Sequence, residues 1–399
     1  MKSATAVIGS NYGDEGKGRT VDYLVSQHRS PEKVLVVRHN GGAQAGHTVS
    51  VSDNRFVFSH LGSGTLLGAP TYLSQYFIVN PIMFLREVKN WPSPPVVYTH
   101  PHCYVTTPYD IMLNQMKETH RGANKTGSCG LGINETMKRS AVIGLDPIIA
   151  LDLKDKDELV WGLKQAQEYA VALTQPYGEI GEETRKLITN KDIADVFIED
   201  CLEMASRVEI IPFNFLEPWC SGWSGKVLFE GAQGLGLDRT KGHFPYVTNS
   251  HTGIKNVVEL SKEFGLSRLN VLYITRPYLT RHGAGPMESE HTEFTPQDET
   301  NVYNKHQGNL RYGWLDIDAM NRRIASDKED LIDSHLTHSS GIALTCLDQL
   351  DYDNFWVLYK GNKVKVKSFH KLLLLLDPKG LQLKYISIGA DRNNMFKLP

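Results

Sequence analysis

The stretch Gly9–Gly18, GSNYGDEGKG, constrains this chain more than any other. It follows the short apolar run Ala4–Ile8 and leads into Gly18–Gln27, an amphipathic stretch with helical periodicity. A strand, a glycine-rich loop and a helix in that order form a phosphate-cradling turn. The common phosphate loop, G-x-x-x-x-G-K-[ST], sets a hydroxyl after the lysine to hold Mg²⁺. Here Gly18 follows Lys17, the spacing from Gly9 is longer, and Asp14 and Glu15 sit inside the loop. A carboxylate among phosphates is useful if it holds Mg²⁺, or if it removes a proton from the group being phosphorylated. Lys17 then supplies positive charge to the transferring phosphoryl group, while Gly16 and Gly18 let backbone N–H groups approach it. A glycine-rich turn with solvated acids is the alternative on these residues alone.

The rest of the chain extends the same unit. Runs at Thr5–Gly9, Lys33–Arg38, Tyr76–Asn80, Val96–His100, Lys226–Glu230, Leu269–Thr275, Ile342–Cys346 and Tyr385–Gly389 read as mostly buried strands. Helical periodicity covers Gly18–Gln27, Pro81–Trp91, Tyr109–Thr119, Asp157–Leu173, Glu182–Met204 and Asp316–Asp327. Such alternation predicts an α/β fold: a large central, mostly parallel sheet flanked by helices, like that of P-loop NTPases. With no repeat or linker, residues 1–399 read as one domain, with a helical excursion over about 151–210. A net charge of −2 gives no general electrostatic case for nucleic acid or membrane as partner. The five cysteines are odd in number, widely spaced and without a C-x-x-C pair, which argues for a reducing compartment and against a disulfide framework or zinc site. MKSATAVIGS is too short an apolar start for a signal peptide, and the run Leu372–Leu376 is far short of the ~20 residues of a membrane span. The expectation is a soluble, cytoplasmic protein.

Further loops leave the predicted strands. RHNGGAQAGHT (Arg38–Thr48) packs three glycines, two side-chain amides and His47 into a short space. His47 there is a candidate general acid or phosphate ligand, although single histidines are more often structural. FEGAQGLGLD (Phe229–Asp238) offers Gln233, and FPYVTNSHTG (Phe244–Gly253) offers Thr248 among other hydroxyls and amides. RHGAGPMESE is followed by HQGNLRYGWLD, with Arg311 as a fork for carboxylate or phosphate. Each alone reads more readily as a turn than as a ligand loop; five at strand ends are hard to explain as turns alone. His100 and His102, flanking Pro101, are weak evidence for a metal, and Cys129 and Cys346 read as packing residues.

YGDEGKGRTVDYL, GGAQAGHTV, FEGAQGLGLD, PYVTNS, RHGAGP, YGWLD, LTCLDQLD and SIGADR, in this order, resemble successive signatures of the adenylosuccinate synthetases. The resemblance implies a ligase that condenses L-aspartate with a 6-oxopurine nucleotide in two steps. It makes Asp14 the base that removes the purine N1 proton and a Mg²⁺ ligand, with the Gly46 carbonyl as second ligand. Purine O6 then attacks the γ-phosphate of a triphosphate, with Lys17 neutralising the phosphoryl group, His47 on the leaving diphosphate and Gln233 on O6. The aspartate amine displaces phosphate from the 6-phosphoryl intermediate. By the same resemblance Gln44, Thr126, Ser128, Thr248 and, from a dimer mate, Arg139 bind the substrate nucleotide. Gly16, Lys17, Gly18, Gly46, His47, Thr48, Asp348 and Gly389 bind the triphosphate, Asn309 and Arg311 bind aspartate, and the protein is a homodimer.

Three departures bear on the substrates. QGNLRYG retains only Arg311 of an arginine-rich aspartate loop, and Asn309 stands near a position usually held by arginine, which fits a 2′-deoxyribose. The donor-pocket motif T-K-L-D reads Thr345-Cys346-Leu347-Asp348, which makes ATP a plausible donor in place of GTP. The chain is also shorter and more divergent than housekeeping members. Together these resemble the viral branch that converts dGMP to 2-amino-2′-deoxyadenylosuccinate, in the host cytoplasm. Guanine keeps the N1–H and C6=O, and Asp14 can accept from both N1–H and N2–H; an unpaired buried amino group would cost about 1–3 kcal/mol. The expectation is dGMP with ATP, against IMP with GTP. A catalytically dead nucleotide-binding regulator is the reading from another class, opposed by intact Asp14, Lys17, His47 and Gln233.

Overall fold

The computed structural model describes residues 2–399 except 53, 90, 92, 213–225, 294–295, 297–302, 304–306, 352–354 and 377–380. Sixteen strands are described: β1 (Ser3–Gly9), β2 (Val34–Arg38), β3 (His47–Val51), β4 (Asn54–Phe58), β5 (Thr71–Leu73), β6 (Val97–Thr99), β7 (Glu209–Ile210), β8 (Lys226–Gly234), β9 (Arg268–Thr275), β10 (Tyr278–Arg281), β11 (Arg311–Asp316), β12 (Thr337–Leu344), β13 (Trp356–Tyr359), β14 (Asn362–Lys365), β15 (Gln382–Ser387) and β16 (Met395–Lys397). Ten form one sheet in the order β16-β15-β12-β9-β1-β8-β2-β5-β6-β7. All neighbours in it run parallel except β15 and β16. Every residue of β2 is buried, as a strand covered on both faces requires. Along β1 the side chains alternate: Ala6 and Ile8 join Val257, Leu260, Met320 and Ile324 in one core, while Val7 joins Val21 and Val25 on the other face. A third core packs the helices Pro81–Val88, Pro108–Arg121, Lys156–Thr174 and Lys191–Arg207. No helix among the described residues is long and apolar enough to cross a membrane. Cys103, Cys129, Cys201 and Cys346 are free, and Cys220 lies outside the described residues.

Two predicted elements are corrected. Tyr76–Asn80 is not a strand; β5 lies earlier, and Ile78 and Val79 make single bridges to Gly42 and Val105. Its apolar side chains are buried in a loop whose amides bond to Gly41 and Tyr104, and burial alone does not separate that from a strand. Glu182–Met204 is two helices, Gly178–Ile188 and Lys191–Arg207. Asn190 starts the second by accepting from the Asp192 amide at 3.1 Å, a polar cap that interrupts a continuous apolar period. The helices Ile133–Ser140, Lys255–Glu263 and Phe369–Leu376, the hairpin β3–β4 and the small sheet β10-β11-β13-β14 were not anticipated.

Asp327, at the end of the helix Ile317–Lys328, ties this frame to the loops at the strand ends. Its Oδ1 accepts from the Ile254 amide at 3.0 Å and its Oδ2 from the Tyr273 hydroxyl at 2.9 Å. Gly253 has no room for a side chain there, since a Cβ would stand 1.8 Å from Asp327 Oδ1. Burial pushes this carboxyl from its ordinary 3.8 up to about 7, against the hydrogen bonds from Ile254 and Tyr273. A carboxyl raised on folding contributes stability below its unfolded value, and that contribution is lost as pH rises through the folded value. Asp327→Asn removes the titration. Its stability relative to the native chain is expected to rise by about 1–3 kcal/mol between pH 5 and pH 8 and then level off. Urea denaturation at the two pH values checks this; a pH-independent difference would mean that Asp327 stays ionised.

Candidate active site

The phosphate loop leaves β1 at Gly9 and reaches the helix Lys17–Ser26 through Asp14 and Gly16, both with left-handed backbone (φ 56° and 82°). Glu15 closes it from within: Oε1 accepts the Asn11 amide at 2.8 Å and the Asn11 side chain at 3.1 Å. The Thr345 hydroxyl donates to the Glu15 carbonyl at 2.9 Å, joining the loop to the end of β12. A Cβ on Gly9 would lie 2.6 Å from the Gln233 carbonyl oxygen, so glycine is required here, where Glu15 Oε2 and Lys17 Nζ also converge at 2.3 and 2.9 Å from that point. Burial pushes the Glu15 carboxyl up to about 7, opposed first by Lys17. Burial likewise holds the Lys17 ammonium below its ordinary range, against Glu15, Asp14 and Glu230. Outside the loop, the Tyr12 ring lies between the guanidinium groups of Arg281 and Arg323, 4.6 and 4.7 Å from its centroid.

Asp14 is a quarter exposed, and its Oδ2 lies 2.7 Å from His282 Nε2. Burial works to raise its carboxyl, but the hydrogen bond and charge of His282, with Arg276 and Lys17, bring it down to about 2. His47 is buried with Nδ1 2.6 Å from Glu230 Oε1, and Glu230 also accepts the Ser63 amide at 2.9 Å and the Ser63 hydroxyl. The Glu230 carboxyl is opposed by burial yet held at about 2, chiefly by His47 and Arg38. Burial and then Arg38 press His47 itself below its ordinary value, against the charge and hydrogen bond of Glu230 on Nδ1. That leaves Nε2 for a ligand.

Gln233 comes against Gly13, the neighbour of Asp14, through an irregularity in β8. Val7 and Gly9 of β1 pair with Glu230 and Gly234, so β8 carries two extra residues. Gln233 takes φ 61°, its Oε1 is buried without a partner, and a Cβ on Gly13 would lie 3.6 Å from its Cα. A left-handed non-glycine residue with an unsatisfied amide oxygen is strain of the kind found at functional sites. Asn40 locks the two loops by exchanging hydrogen bonds with the Ala232 backbone at 3.2 and 2.8 Å. Gln44 has both amide atoms buried and unpartnered. Gly18 abuts His47 and Thr48, since a Cβ there would lie 3.1 Å from the His47 Cβ and 3.2 Å from the Thr48 carbonyl. Gly46 is exposed beside them.

The remaining expected residues sit around this centre. Thr126 donates to Glu118 at 2.6 Å and Ser128 accepts from Asn114 at 2.8 Å, in a loop packed against Gly283. Thr248 donates its amide to Leu237 at 2.9 Å in the loop that also carries Ser250, whose Oγ accepts from Gly41 at 3.2 Å. Asp348, exposed, and Gly389 follow neighbouring parallel strands, β12 and β15. The Arg139 guanidinium is buried in a two-pronged ion pair with Asp110 (Nε to Oδ1 3.0 Å, Nη2 to Oδ2 2.9 Å) and donates to the Val105 carbonyl, while its Nη1 has no partner among the described residues. Arg311 is also committed: Nε meets Glu290 Oε1 at 2.7 Å, and Nη1 donates to the Gly283 and Gly285 carbonyls at 2.8 and 2.9 Å. Asn309 is exposed near it. His282 and Glu230 were missed as site residues although both stand in quoted motifs; a second histidine walled by glycines was the available signal.

A parallel sheet with a carboxylate-bearing phosphate loop, a carboxylate-backed histidine and a strained glutamine at its strand ends makes a nucleotide-handling α/β enzyme. A family model for adenylosuccinate synthetase matches residues 6–357. The adenylosuccinate synthetase of Lactobacillus acidophilus is 31% identical over 340 residues, 81% of this chain and 75% of that protein. That of Psychrobacter arcticus is 30% identical over 372 residues, covering 88% and 78%. Among solved structures, the fully ligated adenylosuccinate synthetase of Plasmodium falciparum superposes with a TM-score of 0.75 at 20% identity, over 99% of this chain and 100% of that one. The succinoaminodeoxyadenylate synthetase of cyanophage S-2L, bound to dGMP and to dATP as an energy donor, gives 0.58 at 15% identity, over 100% and 96%. The chain belongs to the adenylosuccinate synthetase family and is a ligase forming a C–N bond.

Adenylosuccinate synthetases generally depend on Mg²⁺. The Asp14 carboxylate and Gly46 carbonyl are hard oxygen donors, and Mg²⁺ usually takes one or two carboxylates with substrate phosphates supplying the rest. Among the described residues no group of three or more His, Cys, Asp or Glu could hold a metal ion. Glu230→Gln keeps an acceptor for His47 but removes the charge. Aspartate-dependent phosphate release is expected to fall at least about 100-fold, with the melting temperature little changed. Wild-type turnover would reduce the pair to packing.

Proposed function

We propose that this chain condenses L-aspartate with C6 of dGMP, using ATP, to give 2-amino-2′-deoxyadenylosuccinate, ADP and phosphate. Asp14 takes the N1 proton and accepts from the 2-amino group, while Gln233 donates its amide N–H to O6 as charge develops there. The nucleophilic O6 takes the γ-phosphoryl group, and Lys17, already buried, neutralises it. His47 meets the leaving diphosphate through Nε2, oriented by Glu230 on Nδ1. Mg²⁺, held by Asp14 and Gly46, would offset the charge of the triphosphate. The amine of aspartate then displaces phosphate from C6, an easier departure than that of an amide-like oxygen. Gln44, Thr126, Ser128 and Thr248 hold the 5′-phosphate. Gly16, Gly18 and Thr48 line the triphosphate, and Asp348 and Gly389 border its base. Aspartate reaches Arg311 by replacing Glu290 in the guanidinium fork, with Asn309 beside it.

The observation that carries the deoxyribose is Arg311. The segment holds no other arginine, and this one is engaged by Glu290 and two carbonyls, which leaves no guanidinium for ribose hydroxyls. ATP is supported by Cys346, small and buried where the family has lysine. The ligands of the cyanophage enzyme agree with both choices. IMP with GTP is the second reading: relatives at 30–31% identity are named adenylosuccinate synthetases, and Asp348 stands exposed to accept from a guanine. A homodimer in the cytoplasm goes with either.

Aspartate-dependent phosphate release with IMP or dGMP, each with ATP or GTP, separates the readings, with mass spectrometry of the succinylated product. Turnover with dGMP and ATP is the expected result, at least about 100-fold above IMP with GTP. Turnover with IMP and GTP alone would overturn the substrate assignment and leave the ligase chemistry standing.

A further inference from the structure

We propose that His282 is the positioning residue of the base, holding the Asp14 carboxylate in one orientation so that Oδ1 meets the purine edge; this rests on the reading of Asp14 given above. The imidazole Nε2 lies 2.7 Å from Asp14 Oδ2, and both groups are about one-quarter exposed. The loop presenting His282 is among the most heavily restrained parts of the site. Thr280 donates to the Gly13 carbonyl at 2.8 Å, one residue from Asp14. Arg281 ties down the carbonyls of Ala284, Pro286 and Tyr246 at 3.2, 2.7 and 3.0 Å. Arg311 clasps those of Gly283 and Gly285. Gly283 and Gly285 take φ 72° and 104°, backbone that other residues rarely adopt.

Two arginines and a threonine thus spend six hydrogen bonds on a loop whose one side chain at Asp14 is His282. Supporting layers of this kind fix a reactive group within the tolerance that catalysis needs. With Asp14 ionised, Nε2–H is the donor, and the carboxylate plane is set before the nucleotide enters. The same loop touches the acceptor's other end: a Cβ on Gly127 would lie 2.3 Å from Gly283 Cα, between Thr126 and Ser128. The base and the candidate 5′-phosphate loop are therefore held in one register, which a nucleotide of fixed length spans.

The test compares His282→Ala, His282→Gln and Asp14→Asn in the full-length, Mg²⁺-supplied enzyme. Readouts are kcat and KM for each substrate, calorimetric binding of the acceptor nucleotide without triphosphate, and melting temperature. For His282→Ala, kcat is expected to drop about 10–100-fold while the acceptor dissociation constant moves less than about threefold. Glutamine, whose amide N–H reaches the same carboxylate, should recover most of the loss. Wild-type kcat in His282→Ala, or equal losses in the Ala and Gln variants, overturns the positioning role. If Asp14→Asn retains wild-type turnover, the base assignment itself is wrong; if it is dead while His282→Ala is unaffected, only the inference about His282 falls.

Discussion

The site is organised around a buried lysine ammonium. Lys17 is buried beside Gly9 with three carboxylates, Glu15, Asp14 and Glu230, acting on it. Glu15 acts most strongly of these and does two jobs: it keeps Lys17 tolerable and braces Asn11 across the loop. An unpaired ammonium in that position would be driven to lose its proton. The acids inside the phosphate loop, which look misplaced beside a polyanionic ligand, are thus what allows the cation to sit there.

The parallel sheet turns this local balance into a site. Because β1 lies between β8 and β9, the loops leaving all three emerge at one edge, and Gln233 and Thr275 meet Gly13 and Asn11 of the glycine-rich loop from distant parts of the chain. β12 and β15 lie next along and add Thr345, Asp348 and Gly389. The small sheet β10-β11-β13-β14 delivers His282 and Arg311 from the side, through Arg281 and Arg311 paired across β10 and β11. The glycine-rich loop and the small sheet are thereby separate frames that meet where His282 reaches Asp14.

Much of the main sheet was legible because buried parallel strands are short Val- and Ile-rich runs, and the loops after them announce themselves by glycine. The misreadings have the same root. Tyr76–Asn80 is apolar and buried but paired by loop hydrogen bonds, and Glu182–Met204 keeps its period across a capped break at Asn190. In the site, the motifs pointed to residues, but partners lie far apart in sequence: His47 and Glu230 are 183 positions apart, and no spacing rule joins them. Arg139 shows the converse. A charged residue in a glycine-rich segment looks available, and only the fold reveals Asp110 on its Nε and Nη2.

The contact of Gly127 with Gly283 has a bearing on how such an enzyme is altered. Neither position accepts a Cβ without moving the other's backbone, by a clash of 2.3 Å in one direction and 2.7 Å in the other. Segments 125–132 and 281–286 consequently behave as one part cut from two places in the chain. A graft that exchanges either segment with a relative's, in pursuit of a new acceptor nucleotide, imports half a joint; the transferable unit is the pair.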